Sequence, residues 1–529
     1  MKASYRVFAV IAVLLGVFSA LSPFAYGSHY KIVVVHDKNG KIPLTTLNLT
    51  FRVGSADDPA VEKGIASATA RLIREGGALS WKGLPARTRS ELESFLYPYA
   101  ADMEMNVGKE QISFELTVPA SDAEKMLQLL AQLVLRPAFM GSPKDPKESE
   151  SLRASERELQ RILSEEKDFL EKQLPQEDQE ELGKAVLDQL IFGENHPYAH
   201  VAAGTLSGLK NINLEKVRRF YLSHMVQPRL TVGVSGVVSA EVLKLAREAF
   251  KELPAAGSSK ASLPQVRNSD QVELLIVKGS FKGTGVHLGF PLPFNRSANE
   301  FAEMYLAANA FGKHRSFVGR LMDVVRETRG INYGTYAYVE DFPYGGHLTM
   351  EPTQAARAQQ AFTIWGRPTA VAENGCFLLR QLHRELTVLA EKGLTRREFD
   401  LTKSHLIGYI PLLGMSLDRQ LGYAIDSHFY GIRGDYLKRL QSEVESAKHS
   451  VVNALLKKHI KPKALQIVVT TADPEKFRAE ILGPRCAIRY EEGVQKAPNV
   501  LKEDKQIAVH SIGIKPENIR VVDSESLFQ

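Results

Sequence analysis

Residues 64–77 read Gly-Ile-Ala-Ser-Ala-Thr-Ala-Arg-Leu-Ile-Arg-Glu-Gly-Gly, and the fold is read outward from this run. It is the body of a helix predicted from about Ala60 to Glu75 that stops at Gly76-Gly77. Upstream, Leu47, Leu49, Phe51 and Val53 alternate with Asn48, Thr50 and Arg52, the period of two of a half-buried strand. The turn-rich cluster Gly54–Pro59 separates the two. Downstream, Ile112, Phe114, Leu116 and Val118 alternate again. Ser121-Asp-Ala-Glu124 then reads as a capping box opening a helix over Lys125–Leu135, which Arg136-Pro137 ends.

The second half runs the same course. Val286–Phe290 is a short apolar strand, and Ser297-Ala-Asn-Glu300 is a second capping box, predicting a helix over Phe301–Phe311. A further helix and strand return at 316–338. His347–Glu351 reads as the strand leading to long helices through about Leu394. The clearest repeat closes each half: Pro228–Ser235 runs into Ser239-Ala-Glu241, and Pro462–Thr470 runs into Asp473-Pro-Glu475. Each is a helix, a proline, a β-rich run and a capped helix. Duplication gives two domains of about 220 residues, an ordinary domain size. The expected layout is an N-terminal domain at 28–253, a linker at 254–270 and a C-terminal domain at 271–493. The linker holds Pro254-Ala-Ala-Gly-Ser-Ser-Lys-Ala-Ser-Leu-Pro264. An extension at 494–529, with β-prone pieces at Ile507–His510 and Ile519–Val522, is expected to pack on the second domain. The fold class is α+β, sandwich-like, with each mixed sheet packed against helices.

Gly64–Gly77 also has the frame G-x-A-H-x-x-E-H followed by glycine, with Ser67, Ala70 and Arg71 in the three chemical positions. That frame resembles the insulinase/pitrilysin family of zinc metallopeptidases. His196-Pro-Tyr198, Gly204-Thr205, Phe220-Tyr221 through Pro228, and the run around Leu421–Gly431 are similar to the family as well, so the resemblance covers nearly all of the mature chain. It implies duplicated α/β domains in a clamshell arrangement around an unfolded peptide. The size resembles the two-domain bacterial and mitochondrial-processing branch, whose chains work in pairs. One chain of such a pair carries H-x-x-E-H; the other lacks it and contributes an Arg and a Tyr from its second domain. Here Arg326-Glu-Thr-Arg-Gly-Ile-Asn-Tyr333 matches that segment in the spacing of Arg326 and Tyr333, with glycine at 330 rather than directly before the Tyr. The family's third ligand is a glutamate on a later helix. Glu165, on a helix predicted over Ser155–Lys167 with Glu158 seven residues earlier, aligns to it; a solvated acidic helix gives the same pattern.

Zinc hydrolysis of a peptide needs three protein ligands, an open fourth position and a base for the water. A serine hydroxyl is a poor zinc ligand. A guanidinium 4 Å from a divalent ion repels it by roughly 8 kcal/mol at an effective dielectric of ~20. Ala70 has no carboxylate to take a proton. No H-x-x-E-H or H-E-x-x-H occurs anywhere in the chain. His196 and His200 are four apart, but Pro197 between them breaks a shared helical face, and His29 and His36 have no matching acidic base. Metal in this chain is therefore not expected, and zinc is expected in a partner. Arg326 and Tyr333 suit a different role. A Tyr hydroxyl can donate to a developing oxyanion, and an Arg can hold a substrate backbone or carboxylate. A cation near a helix C-terminus and an aromatic on a strand are their plain structural roles. Gly279–Gly285 lacks the order of a phosphate loop, and no G-x-S-x-G elbow occurs.

The chain has 529 residues, 44% apolar and 24% charged, ordinary composition for a globular protein of several domains. A net charge of +6 without a basic-aromatic motif argues against nucleic acid. Met-Lys-Ala-Ser-Tyr-Arg, an apolar run Val7–Leu21 and Ala25-Tyr-Gly27 form the layout of a signal peptide at 1–27. The run is shorter than the ~20 residues that span a bilayer, so no membrane span is expected after cleavage, and a retained anchor is the alternative. Export, to the periplasm if the source is Gram-negative, follows. Cys376 and Cys486 form either one bridge or two isolated thiols. The expected function is that of an exported zinc-less subunit of a heteromeric insulinase-like metallopeptidase. A zinc-bearing partner cuts an extended peptide or small unfolded protein, held partly by strand addition. The alternative is a non-enzymatic peptide-binding or scaffold protein with the same fold.

Overall fold

The sequence folds as two copies of one sheet. The computed structural model describes residues 30–37, 43–260, 262–266, 268–316, 318–341 and 348–529. The segment read as a signal peptide, at 1–27, and His29 lie outside them. The strands are β1 (Lys31–His36), β2 (Leu44–Phe51), β3 (Glu104–Val107), β4 (Ile112–Pro119) and β5 (Leu230–Gly236), then β6 (Glu273–Lys278), β7 (Gly285–Leu292), β8 (Thr335–Tyr338), β9 (Gln360–Gly366), β10 (Gln466–Thr471) and β11 (Ile519–Asp523). The first sheet has the order β1-β5-β2-β4-β3 and the second β11-β6-β10-β7-β9-β8. Apart from β11, the two orders are the same. So are the orientations: β1–β5 and β6–β10 are parallel, and the remaining pairs of each five-strand set are antiparallel. Each sheet has its own apolar core.

The two halves interlock by exchanging helices. The Gln179–Phe192 helix of the first half lies on β7 and β10 of the second sheet. The Leu417–Tyr430 helix of the second half lies on β1, β5 and β2 of the first. The first contact is close enough that a Cβ on Gly183 would stand 2.0 Å from Nε2 of His287, so only glycine fits there. The exchange explains why β2 is buried on both faces rather than half-buried, as its alternation predicts. Leu47, Leu49 and Phe51 face the core. Asn48 and Thr50 face the second half, where Asn48 donates to Gln354 Oε1 at 2.7 Å and Gln354 donates to Glu115 at 2.9 Å. Arg357, 2% exposed, donates to Asp188 at 3.0 Å, and Arg367 to Glu180 at 2.8 Å. All four link one half to the other.

The chain's end adds a further link. After the Pro498–Ala508 helix, β11 joins β6 in parallel. The tail then crosses to the first half, where Phe528 enters the first core and its carbonyl accepts from the Leu206 N–H at 2.8 Å. The extension thus packs on both domains, not the second alone. Its Ile507–His510 piece is not β-structure: Ile507 and Ala508 end a helix, their side chains buried against the second core.

Three further expectations are corrected. Residues 348–351 form no strand, and His347 lies outside the described residues; the strand before the Gly375–Lys392 helix is β9. Neither internal capping box forms. The Ala123–Leu135 helix starts after Asp122 without a side-chain cap, while Ser121 donates to Asp122. The Phe301–Gly312 helix likewise starts uncapped, and Ser297 turns to Asn295. The caps that close each half do form, Ser239 accepting from Val242 N–H and Asp473 from Lys476 N–H. Cys376 and Cys486 are joined in a disulfide.

Phe528→Ala is expected to cost about 3 kcal/mol, the usual loss for a buried Phe, and to lower the urea midpoint; a midpoint equal to wild type would show that the tail is not anchored.

Candidate functional site

The Ile65–Glu75 helix begins at Gly64, whose φ of +104° places it in the region that favours glycine. A Cβ there would stand 2.7 Å from the Ala203 carbonyl oxygen. Asp58 fills the helix entrance, accepting from the N–H groups of Gly64 (2.7 Å) and Ala66 (2.9 Å), and His200 Nε2 lies 3.0 Å from the same carboxylate. His200 is thus engaged at a helix start, and His196 lies 3.3 Å from the Pro264 carbonyl. Backbone needs alone account for the survival of the glycine in the frame.

Ser67, Ala70 and Arg71 follow along this helix. Ala70 is fully buried in the first core. Ser67 and Arg71 face the Pro146–Asp168 helix, which packs against theirs. Arg71 donates to Glu165 at 2.5 Å, to Glu166 at 3.3 Å and to Glu75 at 3.3 Å. Ser67 donates to the same oxygen of Glu166 at 3.2 Å. A second guanidinium completes the group: Arg161 bonds Glu75, Glu158 (2.9 Å) and Glu165 (2.5 Å). Arg89 lies 3.5 Å from Glu158. Burial opposes ionisation of Glu75, but hydrogen bonds from Arg161 and Arg71 outweigh it and hold its carboxyl below the usual glutamate value. Glu165 is lowered as well, first by the hydrogen bond from Arg71. Burial works against the Arg71 charge, and Glu165 and Glu75 more than compensate.

Of the positions that the sequence points to, the structure places Ser67, Ala70 and Arg71 on one helix and sets Glu165 against Arg71. It adds Glu75, Arg161 and Glu166. Their signals are present in the chain: Glu75 is four residues after Arg71, and Arg161 is three after Glu158 and four before Glu165, the spacings that pair charges on a helix. Among the described residues Glu166 bonds both Ser67 and Arg71. As a zinc site this donor set does not fit. It offers no imidazole, its hydroxyl is spent on a carboxylate, and a guanidinium stands among the carboxylates.

Arg326 and Tyr333 form a second cluster, at the turn into β8. Arg326 lies in the last turn of a π-helical segment (Met322–Glu327), and its guanidinium carbon lies 4.4 Å from the Tyr333 ring centre. The Arg367 guanidinium lies 5.2 Å from the same ring. Tyr333 is 63% exposed. A third feature is a cavity of about 160 Å³ between the Gln179–Phe192 helix and the second sheet, whose walls include Leu187, Ile364, His287 and Trp365. Ser67, Ala70, Arg71, Glu165, Arg326 and Tyr333 all lie outside its walls.

Two family models match this chain: "Insulinase (Peptidase family M16)" over residues 33–188 and "Peptidase M16 inactive domain" over 211–406. The chain belongs to the insulinase family. Among its relatives, this insulinase-family chain is similar to the "Non-peptidase homolog YmxG" of Helicobacter pylori, 22% identical over 459 residues that span 85% of this chain and 95% of the relative. Its fold matches the crystal structure of a peptidase M16 inactive domain from Pseudomonas fluorescens with a TM-score of 0.69 at 21% identity, over 84% of this chain and 97% of that one. It also matches the periplasmic protease PqqL of Escherichia coli, with a TM-score of 0.64 at 13% identity, over 91% of this chain and 49% of PqqL. In this insulinase-family chain the zinc-motif positions 67 and 71 are occupied by the ion-pair network above.

Arg71→Ala leaves three carboxylates short of a partner and is expected to lower stability by about 2 kcal/mol at pH 7. Because Glu75 and Glu165 are depressed in the folded state, the Arg71 contribution is present above the unfolded carboxyl value of about 4.3 and is lost as pH falls through their lower folded values. The gap between the two proteins in chemical denaturation should therefore close as pH falls below the unfolded carboxyl value. A gap that stays constant with pH would contradict the network.

Proposed function

We propose that this chain is the zinc-less subunit of an exported heteromeric insulinase-family peptidase. A separate H-x-x-E-H chain supplies zinc and base. This chain supplies Arg326 and Tyr333 to the substrate, the phenol donating to the oxyanion and the guanidinium holding the peptide backbone or a carboxylate. The observation that carries the reading is a contrast between two clusters. The zinc cradle is filled by Arg71 and its carboxylates, whereas Tyr333 stands exposed with a guanidinium stacked against it. Tyr333 lies two residues before β8, the last strand in the order of the second sheet, so a peptide added along that edge would pass it. The substrate class is an extended peptide or small unfolded protein.

Export is supported by the Cys376–Cys486 disulfide, since such bonds persist in oxidising compartments, by the signal-like N-terminus, and by the fold shared with a periplasmic protease. Among the described residues no helix is long and apolar enough to cross a membrane.

The test is co-expression with a candidate zinc-bearing chain, then assay of each chain alone and together on a quenched peptide. Neither chain alone should match the mixture. Arg326→Ala and Tyr333→Phe should each lower kcat of the mixture by about a hundredfold, the usual loss of one oxyanion donor, while leaving the melting curve unchanged. Unchanged activity in both variants would overturn the site. A pull-down that recovers no such partner, with no activity in any mixture, would favour a peptide-binding or scaffold role.

A further inference from the structure

His287 on β7, Trp365 on β9 and Tyr336 on β8 are register partners. They form one row across the second sheet, on the face that the Gln179–Phe192 helix covers. His287 is 1% exposed and Trp365 2%. Both ring nitrogens of His287 and Nε1 of Trp365 have no hydrogen-bond partner among the described residues. Both side chains line the 160 Å³ cavity. Buried polar atoms are rarely left unmet, because desolvation costs them more than an ordinary hydrogen bond returns.

The charged groups around the same cavity are already engaged. Lys184 bonds Glu181 at 2.7 Å and lies over the Trp365 ring at 3.8 Å. Lys109 bonds the carbonyls of Tyr198 and His200. Arg357 pairs with Asp188 and Asp341, and Glu340 with Arg296. What remains unmet is therefore neutral. Burial pushes the His287 imidazole down to about 3, so its ring offers one donor and one acceptor at neutral pH. The rest of the wall combines apolar Leu174, Leu187 and Ile364 with Asn106, Thr363 and Ser55, whose buried hydroxyl is also without a partner among the described residues. The volume is close to the roughly 150 Å³ of an apolar cavity that admits one benzene ring.

We propose that this cleft between the halves is a binding site for one neutral six-membered ring bearing a hydroxyl or amide, the ring lying among the apolar side chains and its polar group bridging His287 and Trp365. The row sits on three paired strands, so the polar edge is preorganised. Such a ring arrives either as a free small phenolic molecule or as a tyrosine side chain of a bound peptide.

The protein has two tryptophans, and Trp81 Nε1 is already bonded to Glu252 at 2.9 Å. The full chain, labelled with ¹⁵N at tryptophan, therefore carries both a reporter and a reference. Phenol is expected to shift the Trp365 indole signal saturably and leave that of Trp81 in place. Benzoate should shift neither signal, since no cation in the cleft is spare. His287→Phe keeps the shape and removes the polar partner, so preference for phenol over toluene should fall about fivefold, one hydrogen bond's worth. Ala185→Leu, which fills the cavity from its wall, should abolish the shift. Saturation by N-acetyltyrosine amide would identify a peptide side chain as the source; binding of phenol but not of the amide would identify a free molecule. A Trp365 signal that does not respond to phenol, or drifts without saturating as expected for a merely water-filled cleft, overturns the proposal. So does a phenol response that is the same in His287→Phe.

Discussion

The guanidinium of Arg71 stands where three carboxylates from two helices converge, and the rest of the site depends on that placement. Glu75, Glu165 and Glu166 need a cation nearby, because charges held partly out of water are costly unless paired. Arg71, helped by Arg161, meets that need with directed hydrogen bonds and holds the Ile65–Glu75 helix against the Pro146–Asp168 helix. Such pairing balances the carboxylates, and a guanidinium activates no water. It also explains why the surrounding frame persists: Gly64 and Asp58 serve the start of a helix that is still required.

A second constraint fixes the relation of the two halves. Each sheet is covered on one face by a helix from the other half, so neither half buries its apolar surface alone. Between them run polar and ionic contacts, among them Asn48–Gln354–Glu115 and Arg357–Asp188. Buried ion pairs return in attraction about what they cost in desolvation, so their effect here is alignment. The apolar faces supply the stability, and the polar contacts select one register. The tail, with Phe528 in the first core and β11 on the second sheet, adds a covalently tethered clamp across both. A unit held in this way presents Tyr333 and the β8 edge in a fixed relation to the Arg71 network.

The duplication and part of the strand set were legible in the sequence, because period-two alternation at Leu47–Val53 and Ile112–Val118 and the capped repeats at Ser239 and Asp473 are local signals; β1, β3, β6 and β9 were not read. The burial of Asn48 and Thr50 was not legible: their partner Gln354 lies about three hundred residues away in sequence. The strand expected near 347–351 failed for a similar reason. That segment leads into Gln354, whose contacts lie across the interface, while the true strand β9 begins at Gln360. Both internal capping boxes had the right residues, yet Ser121 and Ser297 found nearer partners, as short polar side chains often do. At the site, the loss of the zinc motif could be read directly from Ser67, Ala70 and Arg71. What replaced it was legible only in part: Glu75 stands four residues after Arg71, but Glu165 and Glu166 lie on a helix about ninety residues later. The polar edge of the cavity was equally hidden, since His287 and Trp365 meet only through strand pairing.

A guanidinium and its carboxylates organise the helix that carries the zinc-motif frame. Metal analysis of the chain purified alone at neutral pH, after dialysis against zinc-containing buffer, tests this most directly. The account predicts zinc far below one equivalent and no peptide cleavage by this chain unaided. One tightly held zinc per chain, lost on mutation of Glu165 and Glu166 and accompanied by cleavage, would contradict it.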